Sequence, residues 1–457
     1  MTIHRLLVRG LAAAVPFAFS LAAHAAVSAD EAKALGTTLT PTGAEAAGNA
    51  DGSIPAWSGK WLGAPPHVKY DGSYNPDPYA GEKPLYAITA QNAAQYADKL
   101  SDGQKALFAK YPQTYRILVY PTHRDFRYTD SINENTRLNA TTARLENDGL
   151  TLKGAYSGPA FPIPKTGLEV LYNHMTAPGP WFIDSDQVSA YVQSTGSIAW
   201  SEVALRVYNP GYKGNDRAHW DDGINAYSVS AQKGPPRDAG KFTLAWSSND
   251  FVGLPRQAWQ YDPGSRRLRK SPDVAFDYPM DSGPRVIDEQ NGFNGSPERF
   301  EWKLIGKREM IVPFHAYALE DRKLKYKDLI GSAIGHPNPE HIRHELRRVW
   351  VIEGTLRKGM RHIYSKRRFY IEEDSWNKVM GENYDLRNQL WRVAVDGTDY
   401  AYDAKAYYNN VSIYQDLQAG SYSIEKMSNE LPHGNYLNRR EPRPGEFTPD
   451  GVRRGGQ

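Results

Sequence analysis

The chain has 457 residues, 40% hydrophobic and 23% charged, with no cysteine and a formal net charge of +3. That length supports a large core or several domains, and the near balance of charge argues against a dedicated nucleic-acid binder. The lack of cysteine excludes disulfides and a lipid-modified N-terminal cysteine, while 29 Tyr, 11 Trp and 39 Gly point to extensive antiparallel sheet.

Residues 1–25 read as a cleavable signal peptide. Arg5 and Arg9 give a positive start, and the apolar run from Leu11 to Ala22 is shorter than the ~20 residues that span a bilayer. Ala23-His24-Ala25 is an A-x-A site, so cleavage after Ala25 and a periplasmic, non-lipidated mature chain of about +1 are expected. Residues 26–86 are dense in Gly, Pro, Asn and Asp and read as an extended wrapping segment with Trp57 and Trp61 as anchors. Residues 87–187 read as a helical region packing on a sheet. One helix is expected over 87–111, with Ser101 and Gln104 as a capping box and Pro112 as its stop. A second is expected over 130–147, where Ile132, Thr136, Ala140 and Ala143 share a face and Asp148-Gly149 ends it.

From 188 to 415 the period changes to two. Gln257, Trp259 and Tyr261 alternate with Ala258 and Gln260; Asp262-Pro263-Gly264-Ser265 supplies a turn, and a basic strand, Arg266 to Lys270, returns. In FEWKLIGKREMIV, Phe300, Trp302 and Leu304 form an oily face and Glu301 and Lys303 a charged one. Over 349–372 a hairpin closed by Lys358-Gly359 would set Leu356 opposite Arg361 and Ile352 opposite Ser365, with Glu353 diagonal to Lys366. Arg367 then falls on the oily face opposite Trp350, either as a cation–π contact at the sheet's rim or as a cation in a cavity, placed for an anionic headgroup. Over 389–402, Asp396-Gly397 reads as a hairpin turn. Residues 416–457 read as a C-terminal tail. The expected fold is mostly β with helices (α+β): a large curved antiparallel sheet or half-open barrel whose oily face is covered by the early helices.

Four segments carry a resemblance: LTPTGAEAAGNADGSIPAWSG, AWQYDPGSRRLRKSPDVAFDYP, FNGSPERFEWKLIGKREMIVPFHAY and RRVWVIEGTLRKGMRHIYSKRRFYIEEDSW. In that order they resemble the exported proteobacterial family catalogued as domain of unknown function 1329. The resemblance implies a fold similar to the carrier and receptor of the outer-membrane lipoprotein-sorting (Lol) system, a half-open barrel with helices on its concave side. It also implies frequent genomic company with resistance-nodulation-division exporters and outer-membrane proteins, which are the expected partners. It brings no catalytic residues.

Enzyme motifs are sparse. No G-x-S-x-G elbow occurs. His341 and His344 sit three apart, as on a helix, without a third ligand. The run from Asp288 to Arg299 resembles a calcium loop but ends on Arg299 where a bidentate Glu is needed. No metal, cofactor or catalytic residue is assigned. Three readings remain: a carrier for a lipid or other hydrophobic molecule, a carbohydrate-binding module, and a hydrolase of unrecognised type. For the carrier the candidate cavity lining is Trp259, Trp302, Trp350 and Phe369, with Arg367 at the headgroup.

Overall fold

The computed structural model describes residues 27–213, 223–271, 277–280 and 283–455. The expected signal peptide lies outside the described residues. In chain order the strands are β1 (Tyr86–Ile88), β2 (Ile117–Tyr120), β3 (Arg144–Glu146), β4 (Thr151–Lys153), β5 (Phe182–Val192) and β6 (Ile198–Tyr208). Next come β7 (Ile224–Gly234), β8 (Phe242–Ser248), β9 (Gln257–Asp262), β10 (Arg267–Lys270), β11 (Phe300–Pro313) and β12 (Arg343–Leu356). The last are β13 (Lys366–Glu372), β14 (Lys378–Tyr384), β15 (Leu390–Ala401), β16 (Ala406–Asp416), β17 (Ser421–Met427) and β18 (Tyr436–Leu437).

Sixteen of these strands form one sheet, and β3–β4 is a separate hairpin. Two antiparallel meanders, β5 to β10 and β11 to β17, are spliced where β17 pairs with β5. β12 also pairs in parallel with β2, which carries β1. Among the described residues the end strands β10 and β11 do not meet, so the sheet is open, mostly β with covering helices, as expected from the alternation. The first meander begins at Phe182 rather than 188, the second runs past 415, since β17, read as tail, is the seam, and β1 and β2 join the sheet from within the stretch read as helical. Tyr422, Ile424 and Met427 of β17 are buried, which anchors it there despite its short length.

The first covering helix starts at the Ser101 capping box rather than at 87. Ser101 accepts from Gln104 N at 3.1 Å and Gln104 Oε1 accepts from Ser101 N, opening the helix Asp102–Lys110. The rest of the 87–111 stretch is β1 and a short 3₁₀ turn, Ala93–Tyr96. The helix Asp130–Thr142 ends before Ala143, whose extended backbone leads into β3. Thr166 caps the helix Gly167–Met175, which lays Val170 and Leu171 on Phe300, Trp302, Ile352, Phe369 and Ile371. Gly167 lets that helix come close: a Cβ there would lie 2.5 Å from the Lys303 backbone. Phe300 and Trp302 are buried beneath it and Glu301 and Lys303 are exposed, the expected alternation.

Two turns depart from the sequence reading. β12 and β13 pair as Ile352↔Phe369 and Gly354↔Arg367, four residues out from the expected register, so the loop is long and Lys358-Gly359 does not close a tight hairpin. Faces are preserved because the slip is even; Arg367 shares the Trp302 side, and Glu353 pairs with Arg368 at 2.8 Å rather than Lys366. Asp396-Gly397 is a bulge inside β15, where register shifts between Asp396 and Thr398. Asp396 stays buried because Lys378 Nζ lies 2.9 Å away.

In the segment before β1, Trp57 and Trp61 both lie against Phe126. Trp57 Nε1 donates to Phe126 O at 3.1 Å, and Trp61 packs on Phe126 at 5.3 Å. Beneath it lies a buried ion network. Arg347 meets Glu372 at 2.7 Å, Asp374 at 2.8 Å and Glu345 at 3.3 Å, while Arg124 reaches Asp374 at 2.8 Å. Burial opposes the charge on Glu345, but its basic neighbours hold its pKa down to about 2. His315 is kept neutral above about 4 by burial, so at neutral pH it offers Glu345 a hydrogen bond at 2.9 Å while Arg343 and Arg347 supply the opposing charge.

Glu320 behaves oppositely. Burial raises its pKa to about 7, only partly offset by Asn410, Lys426 and Asn435, whose Nδ2 donates to Glu320 at 2.8 Å. The unfolded carboxyl ionises first, so this group's contribution to stability falls as pH rises from about 4.5 to about 7. Glu320→Gln should therefore leave stability unchanged near pH 4.5 and raise it by ~1–3 kcal/mol at pH 8. Urea midpoints at both pH values check this, and parallel pH curves for the two proteins would contradict it.

Candidate functional site

A cavity of about 730 Å³ lies over one face of β5 to β9. Register builds its floor. Gln187 of β5 faces Val203 of β6, and Val203 faces Gln232 of β7. One row along, Leu205 pairs with Ser230, Ser230 with Thr243, and Thr243 with Gln260. Directly paired residues share a face, so apolar Val203 and Leu205 alternate with polar side chains across this floor. The opposite wall comes from Tyr278, Met280 and Ile287, and from Tyr414 and Lys426 of the C-terminal strands. Trp200 and Tyr278, exposed by 42% and 60%, also line it.

Three of the lining cations are buried or half-buried. Arg285 is buried and paired with Glu425 at 2.7 Å, its guanidinium 5.5 Å from the Tyr414 ring. Arg256 has its Nε buried with no hydrogen-bond partner, and burial lowers its pKa. Lys426 has its pKa lowered first by burial; Asp396 opposes this and Arg285 adds to it. Its hydrogen bond is to Asn291 at 3.4 Å.

None of the five residues singled out from the sequence lines this cavity. Trp259 pairs with Leu244 and so faces the other side of the sheet. There it packs on Trp246 at 4.8 Å, in a cluster with Phe447, under the C-terminal helix Pro449–Gly455. Trp302, Phe369 and Arg367 do come together, but in the packed core beneath Gly167–Met175. Trp302 sits flat on Gly354, where a Cβ would lie 2.9 Å from its ring. Trp350 is half-buried, stacked on Trp376 at 6.2 Å with Lys307 Nζ 4.6 Å above it.

Arg367 is wholly buried. Its Nη1 donates to Asp288 at 2.7 Å and its Nε to Asn383 at 3.0 Å, while Phe369 lies 5.1 Å away. Its charge is already matched inside the protein. The same Asp288 opens the calcium-like run and spends its Oδ2 on Arg367 and His362. His344 is buried in β12 and His341 ends the 3₁₀ turn Pro339–His341, so the two do not share a helix. Among the described residues no group of three His, Asp or Glu could hold a metal, and no helix is long and apolar enough to cross a membrane.

The floor was missed because IAWSEVALRVY alternates weakly: Ala199, Ser201, Val203 and Leu205 on the cavity side are small or mixed in polarity. Its only sequence signal is that period of two.

Comparison with solved structures gives low-identity likenesses. A putative outer-membrane lipoprotein-sorting protein domain from Vibrio parahaemolyticus is 11% identical, with 62% of this chain and 97% of that one covered and a TM-score of 0.44. A DUF1329 family protein from Desulfovibrio piger is 12% identical over 63% and 97%, also at 0.44. In sequence, an uncharacterized protein of Pseudomonas aeruginosa is 41% identical over 416 residues, 89% of each chain. The model of DUF1329, described as a protein of unknown function, matches residues 87–453, and the chain belongs to that family.

Proposed function

We propose that this protein is an exported binding or carrier protein for a lipid or other hydrophobic molecule, held in the cavity over β5 to β9. The observation that carries the reading is the cavity itself. Its volume of about 730 Å³ falls in the range of small-molecule sites, and Val203, Leu205, Met280 and Ile287 offer apolar walls. Burying an acyl chain gains ~0.8 kcal/mol per CH₂, so such a wall binds without many polar contacts. Export rests on the charge–core–A-x-A leader, and handover to an inner-membrane exporter or outer-membrane protein rests on the family resemblance alone.

Glycan binding is the second reading. The exposed rings of Trp200 and Tyr278 could stack on a sugar.

The test is mass spectrometry of organic extracts from protein purified without detergent. The expected result is a co-purifying amphiphile in near-stoichiometric amount. A clean extract, with no binding of a fluorescent fatty acid and retention on a glycan resin, would replace the carrier reading with the glycan one.

A further inference from the structure

We infer that the cavity selects an amphiphile with an oxyanion head, a carboxylate or a phosphate, and that Arg256 is the residue that receives it. This rests on the carrier reading and names its ligand class. Arg256 immediately precedes β9 and shares parity with Ala258 and Gln260, both in the cavity lining, and it lines the cavity itself. Among the described residues no carboxylate lies within ion-pair distance of it, and its Nε is shut off from solvent without a hydrogen-bond partner.

A buried cation costs free energy unless it is paired. This chain pairs its buried arginines within itself: Arg347 with Glu372, Arg367 with Asp288 and Arg285 with Glu425. Arg256, half-buried with its Nε shut off from solvent, is the contrast. A partner arriving with a ligand satisfies it, and a guanidinium fork fits a carboxylate or phosphate in two-point contact.

The rest of the cavity has the matching sign. Among the described residues, five cationic side chains and three carboxylates line it, an excess of positive charge. Lys426 contributes through an irregularity: β17 slips in register against β5 between Ile424 and Met427, and Lys426 takes a left-handed φ of 66°. Bulges of this kind re-aim a side chain, here into the cavity lining. Arg285 adds a buried Nη1 without a hydrogen-bond partner. An uncharged acyl chain would use none of these donors.

The experiment is equilibrium titration of the full-length mature protein with a dansyl-labelled long-chain fatty acid, its methyl ester, and the corresponding alkyl phosphate. Wild type should bind one or both acids roughly 10- to 100-fold more tightly than the ester, the range expected for a charge-assisted hydrogen bond. Preference between the two acids identifies the head. Arg256→Gln should bring acid affinity down to that of the ester without changing the ester's, whereas Lys426→Gln should reduce the preference only in part. Circular dichroism and thermal midpoints confirm that both variants fold. Equal binding of acid and ester by wild type overturns the inference and leaves the carrier reading standing. So does a preference that survives Arg256→Gln. Failure to bind any of the three probes overturns the carrier reading itself.

Discussion

Arg347→Ala should lower folding stability by about 3–5 kcal/mol, the cost of removing one partner from a buried ion pair. Arg347 is 1% exposed and meets Glu345, Glu372 and Asp374, and its guanidinium lies 4.1 Å from the Phe314 ring. Its loss leaves three buried carboxylates with fewer cations. Glu372, whose pKa burial already raises, is the group most prone to take up a proton. The drop should therefore be smaller at acid pH, where protonation relieves the stranded charge. Denaturant midpoints at pH 5 and pH 8, followed by tryptophan fluorescence, check both parts. A loss under about 1 kcal/mol at pH 8 would mean that the network carries little of the stability, as surface pairs do.

Trp302→Ala should cost a similar ~3–5 kcal/mol, the range for truncating a large aromatic side chain in a core. Trp302 is 9% exposed, packs on Phe369 at 5.3 Å and Phe293 at 5.5 Å, and donates from Nε1 to Pro297 O at 3.2 Å. With Gly354 beneath the ring, no neighbouring side chain on that strand fills the space. The ligand affinity of the folded fraction should not change, because Trp302 is outside the cavity lining. A mild effect on stability with loss of ligand would return Trp302 to the role its sequence position first suggested.

Local patterns carried the fold well. The alternation in Phe300–Leu304, the Ser101 capping box and the Asp262–Ser265 turn each specify a contact within a few residues, and each is as read. Long-range facts were not legible. Arg367 looked free because its partner, Asp288, is 79 residues away. Asp396-Gly397 has the composition of a tight turn, yet Lys378 on the neighbouring strand gives Asp396 a buried partner and the strand runs on.

Trp259 shows a different gap. Alternation separates two faces but does not say what covers each. One face of β9 lies under Phe447 and the C-terminal helix and takes the large rings. The other, with Ala258 and Gln260, keeps small and polar side chains and borders the open volume. The residues that make room were the quiet ones in the sequence.

The central claim is that a hydrophobic ligand occupies the cavity over β5 to β9. The most direct measurement compares fluorescent fatty-acid binding by wild type and Val203→Trp, a substitution that fills the floor from a residue already facing the cavity. The account predicts saturable binding by wild type and at least ~10-fold weaker binding by Val203→Trp, with its circular dichroism and thermal midpoint unchanged. Undiminished binding by folded Val203→Trp would place the ligand elsewhere and contradict the account.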